Sequence, residues 1–423
     1  MKKLLSVLLA LVLASSLSAC SSSEPAEEGA KEETATEETT TEETAEGTVY
    51  KVGMVCIGNE EAAYDRNFYM AADAAKEILA GKGINIEWTY TYDHPEGDPV
   101  AVDNTDLAES GCIAVFNNSY GMEPAMLTVA PDYEDTFFAG LTNEGSQKDA
   151  LENTGNAFPS IYEGRYLAGI AAGMKLNELI ENGTITEEEA VIGYVGAYPY
   201  AEVKSGYTAY YLGAKSVCPS ATMIVKFINS WGNPTDEAAT AKDLIDNGAW
   251  IISQHSDSTT PATTAEAEGK FHTGYNVDMS TAELAPNASI ISTRIDWTNY
   301  FVYVIETLVN GDMPENDYIG HGLADGDVVM TELNTAIAAE GTAEAIEEAK
   351  KAIIAGEVKV FDTTTFTVDG KEVTSAFATD TDGDWTPDTN EAIFDGCFNE
   401  SYFNSAPYFA LDIDGITLLN YLR

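Results

Sequence analysis

Short apolar runs alternate with helix-length segments along most of this chain, and that alternation restricts the fold more than any other feature. The first run, residues 49–57, is nearly all apolar and partly β-branched, and a segment of helical character follows it. Similar runs lie at residues 84–92, 112–116 and 136–141. Because parallel strands are joined by crossovers that are usually helical, this rhythm predicts a doubly wound α/β sheet.

The same rhythm starts again after a helix that the sequence predicts at residues 161–175. Strand-like runs follow it at residues 191–195, 223–227, 249–252 and 274–277. Two consecutive α/β halves whose loops face each other favour a two-lobed clamp around a cleft. Each lobe is predicted to hold its own doubly wound parallel sheet.

The predicted domain boundaries follow from these two halves. The first lobe covers residues 49–160, with return segments from about 293–330 and the C-terminus, and the second lobe covers residues 161–292. Residues 331–423 are predicted to form a helix, a β-hairpin with Asp369-Gly370 at its turn, and a tail packed on the lobes.

The N-terminus has the character of an export signal rather than of a folded element. Lys2 and Lys3 precede an apolar run at residues 4–13, which is too short to span a bilayer. Cys20 then follows Leu-Ser-Ala, an arrangement that resembles the bacterial lipobox. Residues 1–20 are therefore predicted to be a lipoprotein signal peptide, with Cys20 as the lipid-modified first residue of the mature chain.

Strong negative charge limits the partners of the chain. Residues 21–48 contain ten Glu and one Lys, which predicts an acidic, disordered tether. The 423-residue chain has a formal net charge of −49, and loss of Lys2 and Lys3 with the signal peptide makes it −51. Such a charge argues against nucleic acid and anionic lipid as partners, and it favours a neutral or cationic ligand.

Metal and cofactor chemistry has little support in the sequence. The four His are scattered, and no C-x-x-C or H-E-x-x-H pattern is present, so zinc is not predicted. Acidic residues at 380–391 have the spacing of a calcium loop, but Trp385 stands where the turn needs glycine. That segment is predicted to be a surface loop, and neither a metal nor a cofactor is expected.

Polar side chains are concentrated directly after the predicted strand at 249–252, where Gln254, His255, Ser256, Asp257 and Ser258 lie. The carboxyl ends of parallel strands carry ligands in open sheets, so the stretch predicts a small-molecule site, with a solvated loop as the alternative. A catalytic triad needs a nucleophile, a base and an orienting group whose side chains point at one another. Side chains as close in sequence as His255, Asp257 and Ser258 rarely do so. Catalysis is therefore not predicted.

Five stretches together resemble the basic membrane protein (BMP) family of substrate-binding lipoproteins, which includes purine nucleoside receptors serving ABC importers. They are YEGRYLAG at 162–169, IGYVG at 192–196, LGAK at 212–215, SWGNP at 230–234 and QHSDS at 254–258. The likeness covers roughly residues 50–330. It implies a clamp of the type I periplasmic-binding-protein kind, a small-molecule ligand, and an ABC permease as the partner in the membrane.

Two departures from the nucleoside receptors bear on the ligand. Their Asp-Lys-Ser-Phe-Asn stretch is matched here by residues 65–69, where Tyr69 replaces the terminal Asn. Their ribose-holding acids are not evident, and residues 117–121 read Asn-Asn-Ser-Tyr-Gly instead. The His-x-Asp-Ser stretch is similar to a branch that binds free purine bases such as adenine. The resemblance therefore implies a purine base, with a purine nucleoside as the alternative.

Purine recognition needs aromatic faces for stacking and polar groups for the ring nitrogens and exocyclic groups. The strand-end loops supply both. The predicted aromatic contacts are Tyr64, Tyr120, Tyr198 and Trp297, and the predicted polar contacts are Asp65, Asn118, Ser119, His255, Asp257, Ser258 and Asp278. The alternative for each aromatic residue is core packing, and the alternative for Asp278 is capping of the residues that follow it.

Together these features predict a lipid-anchored, monomeric protein on the extracytoplasmic face of the cell membrane. It is expected to close on a purine base and to deliver that base to an ABC permease. A ligand sensor for a membrane receptor kinase would share the fold and the loops, and an enzyme of nucleoside cleavage is a third alternative.

Overall fold

Two parallel sheets, each with its own helices, form the folded part of the chain and confirm the predicted two-lobed α/β architecture. The computed structural model describes residues 47–142, 151–379 and 389–420. The predicted signal peptide with Cys20, nearly all of the predicted tether, and residues 380–388 of the acidic loop lie outside these ranges.

The first sheet has the strand order β2-β1-β3-β4-β5 and is parallel throughout. Its strands are β1 (Val49–Val55), β2 (Asn85–Thr91), β3 (Cys112–Asn117), β4 (Phe137–Leu141) and β5 (Thr154–Ala157). The helices between them are α1 (Ala63–Gly81), α2 (Val100–Glu109) and α3 (Glu123–Val129). Strand β5 was not predicted because it reads Thr-Gly-Asn-Ala and has no apolar run.

The second sheet has the strand order β11-β10-β9-β8-β6-β7-β14, parallel except for the β10–β11 pair. Its strands are β6 (Val191–Gly196), β7 (Thr222–Phe227), β8 (Ile251–Gln254), β9 (Phe271–Tyr275), β10 (Ser289–Ile295), β11 (Val328–Met330) and β14 (Ile416–Leu418). Its helices are α4 (Ile161–Glu181), α5 (Ala201–Val217), α6 (Pro234–Asp246) and α7 (Thr260–Ala267). Helix α8 (Thr298–Val309) packs against α1 of the first lobe, and α9 (Thr342–Ile354) packs against α4.

The chain passes between the lobes three times, after β5, after β10 and again before β11. Of the return segment expected at about 293–330, α8 and the residues around Asp317, which bridges to Asn156 of β5, lie with the first lobe, whereas β10 and β11 belong to the second sheet. The C-terminus was also assigned to the first lobe, but its last strand, β14, pairs with β7. That pairing satisfies the backbone groups of β7, which would otherwise form an open sheet edge.

Of the predicted C-terminal hairpin, only the turn at Asp369-Gly370 forms. Asp369 and Gly370 both have positive φ, and a single antiparallel bridge joins Val368 to Lys371, without strands on either side. A short hairpin does form further on, where β12 (Ile393–Phe394) pairs with β13 (Cys397–Phe398) across Asp395-Gly396. Asp-Gly pairs favour tight turns at both places, but only tertiary packing decides which flanks become strands.

No helix within the described ranges is long and apolar enough to cross a membrane. The described cysteines, Cys56, Cys112, Cys218 and Cys397, are all buried and free. They therefore act as small apolar side chains in the core.

Candidate ligand-binding site

A cavity lies between the two lobes, at the carboxyl ends of strands from both sheets. Its lining consists of Tyr64, Ser119, Tyr120 and Thr142 from the first lobe and Glu202, Trp231, His255, Asp257 and Tyr275 from the second. It holds about 290 Å³ of non-atom space, part of it open to solvent. Strand order reverses beside it, between β1 and β3 and between β6 and β8, and such switch points are where open α/β sheets bind ligands.

The first-lobe wall is held by hydrogen bonds between the segments that follow β1 and β3. Asp65, only 2% exposed, accepts hydrogen bonds from the Asn118 side-chain amide at 2.8 Å and from the Gly58 backbone N–H at 3.0 Å. The Tyr64 hydroxyl donates to the Asn118 carbonyl oxygen at 2.5 Å. Asp65 and Asn118, both predicted as ligand contacts, therefore lie behind the lining and position Tyr64.

The second-lobe wall is built on a buried carboxylate, Glu237, which is 0% exposed. The hydroxyls of Ser256 and Ser258 both donate to Glu237 Oε2, at 2.9 and 2.6 Å. Between them, the Asp257 backbone N–H donates to the Trp231 carbonyl oxygen at 2.9 Å, while the Asp257 side chain lines the cavity. Hydrogen bonds therefore fix the loop after β8 on both sides of Asp257, whose carboxylate faces the cavity.

His255 is oriented by groups on three neighbouring elements. Its Nε2 lies 3.0 Å from Glu202 Oε1, and its Nδ1 lies 3.4 Å from the Tyr194 hydroxyl. Burial and the nearby Arg165 guanidinium lower the pKa of His255, although Glu202 acts in the opposite direction. The neutral imidazole then donates to Glu202 and accepts from Tyr194.

Arg165 lies beneath this wall, 1% exposed, on α4. Its Nη1 donates to the Gln254 carbonyl oxygen at 2.8 Å, and its guanidinium lies 3.6 Å from the centroid of the Tyr275 ring. Tyr275 in turn lines the cavity beside His255, with the two ring centroids 5.3 Å apart. Arg165 therefore supports the Tyr275 ring by a cation–π contact and does not line the cavity itself.

Carboxylates dominate the electrostatics of the cavity. Glu202 and Asp257 line it, and of the described lining residues none is Lys or Arg. Burial raises the pKa of Asp257 well above its ordinary value, and the nearby Asp65, Glu237, Glu202 and Glu96 raise it further. A ligand that offers N–H or O–H donors, or carries positive charge, would relieve this repulsion, whereas an anion would add to it.

Besides Asp65 and Asn118, four predicted ligand contacts lie outside the lining. The Ser258 hydroxyl donates to Glu237, and Asp278 Oδ1 accepts from the Ser280 backbone N–H at 2.8 Å in a local turn, although no described helix starts directly after it. Trp297, 1% exposed, stacks on Phe68 with ring centroids 5.0 Å apart and an interplanar angle of 18°, which is the core-packing alternative. Tyr198 is also outside the lining, but it packs edge-on against Trp231, a lining residue.

The family model of the PnrA-like ABC transporter substrate-binding proteins matches residues 59–363. The chain belongs to this family. The predicted relationship to the BMP proteins is thereby confirmed. ABC transporter substrate-binding proteins bind small molecules outside the cytoplasm and work with a membrane permease, so both the family and the fold are those of binding proteins.

Two curated relatives of the chain carry different ligand names. A putative ABC transporter glucose-binding protein of Haloferax volcanii is 32% identical over 256 residues, which cover 60% of this chain and 61% of the relative. A purine-binding protein of Brucella abortus is 28% identical over 293 residues, which cover 69% of this chain and 78% of the relative. The chain thus spans less than two thirds of the length of the Haloferax relative.

Solved structures support the fold of the chain. An ABC transporter solute-binding protein from Aeropyrum pernix matches with a TM-score of 0.58 at 17% identity, covering 74% of this chain and 93% of that one. The match is to the type I periplasmic-binding-protein-like fold, as the sequence predicted. Residues beyond 363 lie outside the family match.

Four lining residues were not predicted from the sequence, and all four follow one rule. Thr142 follows β4, Trp231 follows β7, Tyr275 ends β9, and Glu202 comes soon after β6. Each therefore lies at or beyond the carboxyl end of a parallel strand, where the prediction had placed the site in general. Applying that rule to every strand, rather than to the most polar loops, would have found them.

Proposed function

We propose that this protein binds a purine base, adenine-like in its donors and acceptors, between its two lobes and delivers it to an ABC permease. One observation carries the proposal: aromatic rings of both lobes line the same cavity as the Asp257 carboxylate. A flat heteroaromatic ring stacks on such rings, and an N–H group of the ring donates to such a carboxylate. The purine-binding relative from Brucella supports the same ligand class.

The size and charge of the cavity support a base over larger or anionic ligands. The cavity is small, since its 290 Å³ of non-atom space includes open solvent. The acidic lining favours a neutral purine with several N–H donors. Thr142 and Ser119 are further polar residues of the lining, although the Ser119 hydroxyl donates to Glu96 Oε1 at 2.7 Å.

The experiment that tests this proposal identifies the ligand without assuming it. Protein purified from its own cells is denatured, and the released small molecules are identified by mass spectrometry. Calorimetry then compares adenine, guanine, adenosine and glucose on the ligand-free protein. We expect a purine in the released fraction and tighter binding of the free base than of adenosine; adenosine or glucose binding more tightly than both bases contradicts the proposal.

A hydroxyl-rich ligand, a nucleoside or a sugar, is the second candidate. Glu202 and Asp257 are carboxylates of the kind that accept hydrogen bonds from ring hydroxyls, and aromatic rings also pack against sugar faces. The Haloferax relative is named as a glucose-binding protein. The same calorimetric panel separates this candidate from the first.

The anchor is part of the proposal and rests on the sequence. Cys20 ends the lipobox-like run, so Cys20→Ser should move the protein from the membrane fraction to the soluble fraction. A Cys20→Ser protein that remains with the membranes after high-salt washing contradicts lipid anchoring through this residue.

A further inference from the structure

A stack of tyrosine rings crosses the mouth of the cleft. Tyr200, the residue before α5, stacks on Tyr198 with ring centroids 5.0 Å apart and an angle of 10°. On its other side lies Tyr120 of the first lobe, with centroids 5.7 Å apart and an angle of 29°. Tyr198 also contacts Trp231 edge-on at 5.1 Å, so the ring series continues to the cavity wall.

The Tyr200 ring contacts two lining residues, Tyr120 and Trp231, whose ring centroids lie 5.7 and 6.1 Å from its own. It is absent from the lining, and its side chain is 42% exposed, whereas its partner Tyr120 lines the cavity. Its ring is therefore in contact with both lobes and, by position, with no ligand in the cavity. Two residues further along, Glu202 enters the lining, so a movement of Tyr200 is directly linked to the second-lobe wall.

We propose that Tyr200 is a closing residue: its stack on Tyr120 holds the lobes together over the cavity and excludes ligands that extend out of the cleft mouth. This inference rests on the proposed function, because it assumes a small ligand in the cavity beneath. The chemistry is that of an aromatic pair made in the closed state and lost in the open state, which shifts the equilibrium toward closure. A ribose attached to the base would have to separate the same two rings.

The size of the effect follows from the strength of such a pair. Aromatic pairs contribute enough beyond their buried area to change an equilibrium by about two- to tenfold. Because the pair forms only on closure, its loss should raise the dissociation rate by that factor and leave the association rate nearly unchanged. The preference for adenine over adenosine should fall at the same time.

The experiment compares Tyr200→Ala with two matched variants in the full chain. Tyr200→Phe keeps the ring and should behave like the parent. Tyr402→Ala removes another exposed tyrosine, whose ring contacts are with Phe394 and Phe403, and should also behave like the parent. Stopped-flow measurement of adenine release should show faster dissociation for Tyr200→Ala alone; an unchanged dissociation rate for that variant overturns the proposal.

A measurement without ligand keeps the two proposals separate. Small-angle scattering of the ligand-free proteins should show a larger radius of gyration for Tyr200→Ala than for the parent, Tyr200→Phe and Tyr402→Ala. Equal radii for all four contradict a closing role for Tyr200, whatever the ligand is. Failure of the parent to bind adenine overturns the purine assignment alone, since the scattering comparison then still decides the role of Tyr200.

Discussion

Residues 256–258, which follow β8, have two different roles. The two serines hold the loop in place, and the aspartate between them lines the cavity. Ser256 and Ser258 turn their hydroxyls toward the buried Glu237 carboxylate, and Asp257 between them lines the cavity. Burial and, after it, the nearby carboxylates raise the pKa of Asp257, so its charged form needs a donor to stabilise it. A ligand N–H can be that donor.

Asp257→Ala should therefore weaken adenine binding while changing stability little. Loss of a hydrogen bond to a charged group costs roughly 1.5–3 kcal/mol, or about ten- to a hundredfold in affinity. Asp278→Ala is the matched control, because Asp278 also follows a strand but bonds only within its own turn. Calorimetry on both variants checks this; equal affinities for the parent and Asp257→Ala would show that the carboxylate does not contact the base.

The adenine affinity should also depend on pH through Asp257. A carboxyl whose pKa is raised is protonated over a wider range of pH, and its ionised form accepts an N–H from the ligand more strongly than its protonated form does. Affinity should therefore decline as pH falls through the raised pKa, and Asp257→Ala should show a flatter profile. Titrations of the parent and the variant across acidic and neutral pH give the comparison, and parallel profiles contradict it.

Glu400 is a second buried carboxyl, 6% exposed and remote from the lining of the cavity. Burial raises its pKa to about 7, and Ser205 and the backbone of Phe409 and Tyr408 offset the effect only in part. In the unfolded chain a Glu has a pKa near 4.3. Between these two values the unfolded state binds fewer protons than the folded state, so this group lowers stability as pH rises and has its full effect above pH 7.

Glu400→Gln should consequently flatten the dependence of stability on pH. The parent should lose on the order of 3 kcal/mol relative to the variant between pH 4 and pH 8. Urea unfolding at several pH values gives the free energy of unfolding of both proteins. The contributions of the other carboxyls cancel when one is subtracted from the other. A difference that stays constant with pH would mean that Glu400 keeps an ordinary pKa.

At the scale of elements, the contact between α4 and α5 depends on glycine. A Cβ placed on Gly169 would lie 2.0 Å from the Tyr210 carbonyl oxygen, and one on Gly213 would lie 2.0 Å from the Tyr166 carbonyl oxygen. The two backbones therefore approach more closely than any larger residue would permit. This contact positions α5, whose first turn carries Glu202 into the cavity.

Gly169→Ala should destabilise the protein by roughly 1–3 kcal/mol, because the helices must separate to make room for the methyl group. Gly81→Ala is the matched control, since Gly81 ends α1 and has open space around it. That variant should be as stable as the parent or slightly more stable. Thermal unfolding of both variants measures the effect, and a Gly169→Ala protein as stable as Gly81→Ala would contradict close packing at this point.

At the scale of the whole molecule, residues 389–420 connect both lobes. Asn156 of β5 donates to the Ser405 hydroxyl at 2.8 Å, and Ser405 donates to the Asp317 carboxylate. A few residues later, Asp412 accepts from Lys204 of α5 at 2.7 Å. Strand β14 then completes the second sheet, so this segment adds contacts with both lobes to the three chain crossings.

Ser405→Ala should lower the stability of the molecule by about 1–3 kcal/mol, because it removes one donor from the buried Asp317 carboxylate. Ser375→Ala is the control, since its hydroxyl donates to Glu391 at an exposed position and should contribute little. Chemical unfolding compares the two. If both variants unfold at the parent's midpoint, Ser405 does not stabilise the connection between the lobes.

The sequence by itself determined the architecture and the place of the site. Apolar runs spaced by helix-length segments are a local property, and they predicted the parallel sheets because such strands cannot pair without crossovers. The same logic placed a ligand at the strand ends, where Tyr64, Ser119, Tyr120, His255 and Asp257 do line one cavity. Family membership was visible in short stretches that keep their order along the chain.

Tertiary structure decided which of the polar and aromatic residues face the cavity. Ser258, Asp278 and Trp297 satisfy their groups within the protein, and Glu202 and Tyr275 reach the cavity from elements without a polar signature. The direction of a side chain depends on partners distant in the chain, such as Glu237 beneath the loop after β8. The pairing of β14 with β7 is likewise decided by an open sheet edge, which no local pattern reveals.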